Sequence, residues 1–198
     1  NSPETDLFSK GKIVYNYFNA SKSGKTKTPL IVVEGYMDTI ALFQAGFSNV
    51  VAPLGTAITE QQLELIWRLH PEPVVLFDGD TAGQNAVQKL LSLALPLLEP
   101  KKSLRFGMLP ISQDPDEFLK SEGTEGLNLI LEMALPTVKV LWANLTDGSV
   151  FDSPERKAAL DLELRQQVAK IKNSHLRSHF AKAMAEIQTE FFAVSKLN

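Results

Sequence analysis

The sequence predicts an α/β fold in which a parallel sheet is flanked by helices and followed by an all-helical C-terminal subdomain. Three observations carry this. Four apolar runs, at residues 30–33, 49–52, 73–77 and 103–108, are separated by segments of helical periodicity. Three of the four are near-continuous in apolar or β-branched residues instead of alternating, the pattern of strands covered on both faces by helices. Beyond about residue 120 strand signals vanish and helical stripes take over. The order βαβαβαβ implies one open sheet with right-handed crossovers.

Each helix has its own start and stop signals. Residues 37–45 are apolar almost all round, predict a buried helix, and end at Gly46, suited to the left-handed residue after a helix. Thr59-Glu60-Gln61-Gln62 has the capping-box spacing, ahead of apolar Leu63, Ile66 and Trp67. The next helix presents Ala86/Val87, Leu90/Leu91 and Ala94/Leu95 at steps of four and stops at Pro96. In the tail, a helix is expected around residues 127–145. Ser153-Pro154-Glu155 then opens another, carrying Leu160, Leu164, Val168 and Ile171. A last helix starts at Ser174, with Leu176, Phe180, Met184, Ile187 and Phe191 on one stripe. Ahead of the sheet, residues 13–18 suggest a strand and residues 21–27 a flexible basic loop. The division expected is a lead-in at 1–28, an α/β domain at 29–120 and a helical subdomain at 121–198.

Composition narrows the chemistry. The 198 residues include no cysteine, which excludes disulfides, thiolate catalysis and Cys-built zinc sites, and only three scattered histidines. No apolar run reaches the ~20 residues of a membrane span, and the start lacks a signal-peptide layout. A soluble, cytoplasmic chain without membrane contact is expected. The net charge of −3 is unevenly spread: +3 over residues 1–28, −5 over 29–120 and −1 over the rest.

The acid excess collects where strands end. The first strand runs into Glu34-Gly35-Tyr36-Met37-Asp38, the third into Asp78-Gly79-Asp80, and the fourth is followed by Asp114-Pro115-Asp116-Glu117. In an open parallel sheet the ligand crevice lies outside the carboxyl ends of the strands, so all three clusters fall on one rim. Two unit charges ~4 Å apart repel by roughly 4 kcal/mol at an effective dielectric of 20. The basic residues of this region, Arg68, Lys89, Lys101, Lys102, Arg105 and Lys120, are not interleaved with the motifs. A hard divalent cation would relieve the repulsion, and oxygen ligands without nearby His or Cys select Mg²⁺ or Mn²⁺. Helix capping is an alternative for Asp80 and Asp38, and turn formation for Asp114 and Asp116.

These residues, in this order, resemble the Toprim domain of DnaG-type bacterial DNA primases. EGYMD after the first strand, Asp78-Gly79-Asp80-x-Ala82-Gly83 after the third and Asp114-Pro115-Asp116 beyond the fourth carry the likeness. Leu54-Gly55-Thr56 and the lead-in Ser2-Pro3-Glu4-Thr5-x-Leu7-Phe8-x-Lys10-Gly11 add to it. The likeness covers residues 1–120 well; the tail matches in architecture more than in residues. The sequence departs in two places: Val14-Tyr15-Asn16 stands for the usual Leu-Tyr-Gly, and Thr81 for a frequent basic residue.

The resemblance implies template-directed synthesis of short RNA primers on single-stranded DNA from nucleoside triphosphates. It also implies two or more Mg²⁺ (or Mn²⁺) ions held by Glu34, Asp78 and Asp80, with Asp38, Asp114 and Asp116 as supporting acids and Lys10 near bound nucleotide. It further implies a monomer that is a fragment of a longer protein. That protein would carry a zinc-binding domain and a domain for the replicative helicase DnaB, with no zinc in these 198 residues. A Toprim nuclease and a non-catalytic scaffold remain open as alternatives. Ser23-Gly24-Lys25-Thr26 lacks the first glycine of a P-loop and reads as a flexible loop. His175 and His179 read as a solvated helix face, and the basic stretch 165–182 as a charged face with an open option on nucleic-acid backbone.

Overall fold

The structure, a computed structural model, describes residue 5 and residues 9–22, 28–55 and 57–194. Most of the lead-in motif, the loop at 23–27 and Thr56 lie outside these. A 3-10 turn at Lys10–Lys12 leads into β1 (Val14–Tyr15) and α1 (Tyr17–Lys22). There follow β2 (Ile31–Val32), α2 (Tyr36–Gln44), β3 (Val50–Pro53), α3 (Glu60–Leu69), β4 (Val74–Leu76), α4 (Thr81–Ala94) and β5 (Arg105–Gly107). The remainder is α5 (Pro115–Glu132), β6 (Leu135–Pro136), α6 (Thr137–Thr146), α7 (Pro154–Ala169) and α8 (Ser174–Val194).

The sheet order is β1-β3-β2-β4-β5-β6. Its centre, β3-β2-β4-β5, is parallel as expected, and its strands are buried because helices cover both faces. The edges differ from the expectation of an all-parallel sheet. β1 lies antiparallel on β3, pairing Val14 with Pro53, and β6 lies antiparallel on β5, pairing Phe106 with Leu135.

Three local readings are corrected. The strand expected at 13–18 stops at Tyr15, because Asn16 takes a left-handed conformation (φ 62°) and α1 starts directly after it. The Asn16 amide donates to the Val50 carbonyl at 2.8 Å, which fixes that turn against β3. The helix expected at 127–145 is interrupted at 133–136 by β6, so strand structure does not end at residue 120. Arg105 donates through Nε and Nη2 to the Ala134 carbonyl, and Thr137 Oγ1 donates to the Leu104 carbonyl at 2.8 Å. These bonds hold a segment of weak strand propensity on the sheet edge. Finally, α2 is not buried all round: Leu42 is buried, but Tyr36, Met37, Ile40 and Phe43 are exposed.

Two cores result. One lies between the sheet and α2/α5, built on Ile31, Val33, Val74, Leu76, Phe118 and Leu127. The other continues from the opposite sheet face through α3 and α4 into α6, α7 and α8, so the C-terminal helices share apolar packing with the sheet domain. Capping follows the sequence. Thr59 accepts from the Gln62 amide, Ser153 from that of Arg156, and Gly46 is left-handed at φ 101°. Among the described residues no helix is long and apolar enough to cross a membrane.

Candidate active site

β2, β4 and β5 run side by side in one direction, so their carboxyl ends form one rim. Glu34 stands two residues beyond β2, and Asp78 two residues beyond β4. Asp80 caps α4, accepting from the Gly83 amide at 2.8 Å, and Asp114 caps α5, accepting from the Glu117 amide at 2.7 Å. Asp38, in the first turn of α2, accepts from the Gly35 amide at 3.2 Å. The capping alternative is therefore realised at Asp80 and Asp38, and Asp114, for which a turn was the alternative, caps a helix as well; each of these bonds uses a single carboxylate oxygen.

The glycines of the Asp78-Gly79-Asp80-x-Ala82-Gly83 motif are dictated by close approach. A Cβ on Gly79 would stand 1.9 Å from the Pro110 carbonyl oxygen, and one on Gly83 2.0 Å from that of Asp78. The loop after β5 is zipped onto this turn: the Gly79 amide donates to the Gln113 carbonyl at 3.0 Å and the Ser112 amide to the Gly79 carbonyl at 3.3 Å. That zipper delivers Asp114 to Asp78 although the two are far apart in sequence.

Electrostatics show which acids share the site. Burial, then the nearby charges of Asp78, Asp80 and Asp38, raise the Glu34 carboxyl above its ordinary range, partly offset by the Asp78 backbone amide. Burial, then Asp78, Asp114 and Asp116, push Asp38 up to about 6 against the pull of the Gly35 amide. Asp78 is raised by burial and by Asp114, Asp80 and Glu117. Through Glu34, Asp38 and Asp78 these interactions link all six acids of the sequence reading. Glu117, quoted in the motif but given no role, joins them one helical turn beyond Asp114.

Two members need correction or refinement. Lys120 is not remote from the motifs, since the start of α5 at Pro115 puts it one turn beyond Asp116, with which it pairs at 2.6 Å. Asp116 is thereby partly neutralised. Lys10 opens the 3-10 turn, and its carbonyl accepts from the Gln62 side-chain amide at 2.9 Å, as do those of Ile13 (2.9 Å) and Leu54 (2.8 Å). Gln62 is fully buried, and it tethers the Lys10 turn to the end of β3 on the carboxyl side of the sheet. The sequence marked Gln62 only as a helix cap; its burial is what reveals the clamp.

The rim suits a hard cation. Glu34 Oε1 and Asp78 Oδ1 are buried and have no hydrogen-bond partner among the described residues. Such oxygens are costly unless a cation or proton satisfies them. Among the described residues no three carboxylates or imidazoles already converge as a ready-made cage. Mg²⁺ typically takes one or two carboxylates and completes its shell with water and phosphate oxygens. His175 and His179 touch edge-to-face on the exposed surface of α8.

The Toprim domain family matches residues 28–106, which contain Glu34, Asp38, Asp78 and Asp80. A DNA primase of Rickettsia bellii is 38% identical over 180 residues, covering 91% of this chain and 30% of that protein. A solved structure of the DnaG catalytic core superposes with a TM-score of 0.86 at 33% identity, covering 94% of this chain and 60% of that one. Residues 28–106 thus match the Toprim domain family, and the chain as a whole is similar to the catalytic cores of DnaG-type DNA primases. A DnaG primase catalytic domain bound to single-stranded DNA has the same fold, with a TM-score of 0.85, 33% identity, and coverage of 94% of this chain and 60% of that one. The chain spans about a third of the length of the curated relatives it matches. With 94% of the chain covered, the likeness takes in most of the helical tail as well as the sheet.

Proposed function

We propose that this chain is the metal-binding part of a primase that joins ribonucleotides on a single-stranded DNA template by metal-dependent nucleotidyl transfer. The observation that carries the reading is the pair of buried, unpartnered oxygens on Glu34 and Asp78 at the centre of a mutually repelling acidic rim. The primase relatives and the DNA-bound neighbour support the substrate class. Glu34, Asp78 and Asp80 would hold two or more Mg²⁺ or Mn²⁺ ions, with Asp38 and Asp114 steadying the cluster and Asp116 shared with Lys120. When bound, such ions lower the pKa of the primer 3′ hydroxyl and neutralise charge on the departing pyrophosphate. The carboxylates fix geometry by their own anchors, Asp80 and Asp114 through helix caps and Glu34 through the Asp78 amide. Lys10, on the turn clamped by Gln62, is the candidate contact for the triphosphate.

The same reading assigns residues 29–120 to catalysis, 1–28 to the approach and 121–198 to support. It places the chain as a monomer in the cytoplasm, at work in DNA replication. Contact with the replicative helicase DnaB is assigned to sequence outside these 198 residues.

Metal-dependent retention of a nucleoside triphosphate, measured by equilibrium dialysis with Mn²⁺ and with EDTA, is expected without any cleavage of DNA. Mg²⁺-dependent nicking of supercoiled plasmid would favour a Toprim nuclease instead. Absence of both would leave a scaffold.

A further inference from the structure

A groove of about 320 Å³ starts at Glu34 and runs down α4, bounded on its other side by Pro53, Gly55 and Ile58. Its α4 wall is Ala82, Asn85, Ala86 and Lys89, spaced as one helical stripe. The rise per residue makes that stripe about 10 Å long. The two alanines keep the wall low, and the two polar residues stand free. Neither Asn85 nor Lys89 has a hydrogen-bond or ion-pair partner among the described residues, and both are exposed. Glu34 is the sole acid among the described residues of the lining. The groove is therefore negative at the rim and positive two turns of helix away.

We propose that this groove holds the backbone of the strand whose 3′ end reacts at the acidic rim, with Lys89 paired to a phosphodiester and Asn85 hydrogen-bonded beside it. The inference rests on the nucleotidyl-transfer reading above. The order of charges decides the occupant. A strand presents a neutral hydroxyl to the carboxylates and their cations, and a phosphate further back, where the ammonium waits. An incoming triphosphate would be the other way round, placing its charge at the rim and a neutral base at Lys89. Among the described lining residues no aromatic face is exposed for a base to stack on, since Phe77 is buried. Phosphate-directed cations position a strand without reading its sequence, so Lys89 is a positioning residue that tolerates any primer.

The chain has no cysteine, so a single introduced one is uniquely addressable. Asn85→Cys is reacted with a short RNA carrying a bromoacetamide on a 2′-amino group of the nucleotide next to its 3′ end, which leaves every phosphodiester charged. Glu190→Cys, on the exposed surface of α8, is the control, and both rates are normalised to free iodoacetamide. Alkylation at position 85 is expected at least tenfold faster than at 190, and adding Lys89→Glu should bring the ratio close to one. Equal rates at the two positions overturn the proposal. So does loss of Mn²⁺-dependent triphosphate retention in Lys89→Glu, which would make the groove a subsite for the incoming nucleotide. Running the reaction in EDTA as well separates the two readings. A preference for position 85 that persists while wild type shows no response to Mn²⁺ would sink the metal assignment and leave the strand groove standing.

Discussion

Asp78 shows how one side chain serves opposed demands. It is partly buried at the end of a central strand, its Oδ1 lacks a partner, and three neighbouring acids raise its pKa. Without a cation it weakens the fold that positions it. Millimolar Mn²⁺ should therefore raise the melting temperature, and Asp78→Asn with Asp80→Asn should abolish that rise while leaving the metal-free protein at least as stable as wild type. An equal Mn²⁺ shift in the double variant would put the ion elsewhere. Proton binding offers the same relief. A carboxyl with a raised folded pKa stabilises the native state below its unfolded value and loses that contribution as pH rises through the folded value. For Asp38 the window runs from about 4, the ordinary aspartate value, to about 6. Metal-free wild type should lose stability across that window relative to Asp38→Asn, as read by melts at stepped pH. Mn²⁺ should flatten the difference.

At the scale of elements, the site depends on backbone contact more than on the strands themselves. The turn at 78–80 and the loop at 110–113 touch so closely that only glycine fits at position 79. Gly79→Ala must force the two apart, with an expected cost of at least about 2 kcal/mol in thermal or urea unfolding. It should also weaken the Mn²⁺ response, because Asp114 reaches Asp78 only through that zipper. A variant as stable as wild type would show that the loop can yield. The Gln62 clamp works similarly for the lead-in: one buried amide serves three carbonyls on two segments. Both devices join pieces of chain whose local sequences give no sign of contact.

For the whole molecule, the C-terminal helices complete a core instead of forming a detached appendage. Trp142 and Leu141 of α6 are buried, and Trp142 meets Phe191 of α8 edge-to-face at 5.4 Å. Ending the chain at residue 148 would uncover these side chains, each worth roughly 1.5–3 kcal/mol when buried. The shortened protein should melt earlier and bind a hydrophobic dye, although its acidic rim is intact. A melting point equal to that of the full chain would show that the sheet domain is self-sufficient. The mixed character of the sheet points the same way, since β6 belongs to the stretch that leads into α6.

The central strands, the helix caps at Thr59 and Ser153, and the gathering of acids on one rim were legible because each depends on local pattern: apolar runs, capping spacing, and the direction of parallel strands. The edge strands were not, since two-residue strands such as β1 and β6 owe their pairing to hydrogen bonds from Asn16, Arg105 and Thr137 rather than to propensity. The Asp116–Lys120 pair followed from a helix start at Pro115 that the sequence equally allowed as a turn. By itself the sequence determined the fold class and which acids stand at the carboxyl ends of the central strands. Only the tertiary structure decided which carboxylate oxygens are left without partners, because burial and repulsion depend on how loops distant in sequence close over one another.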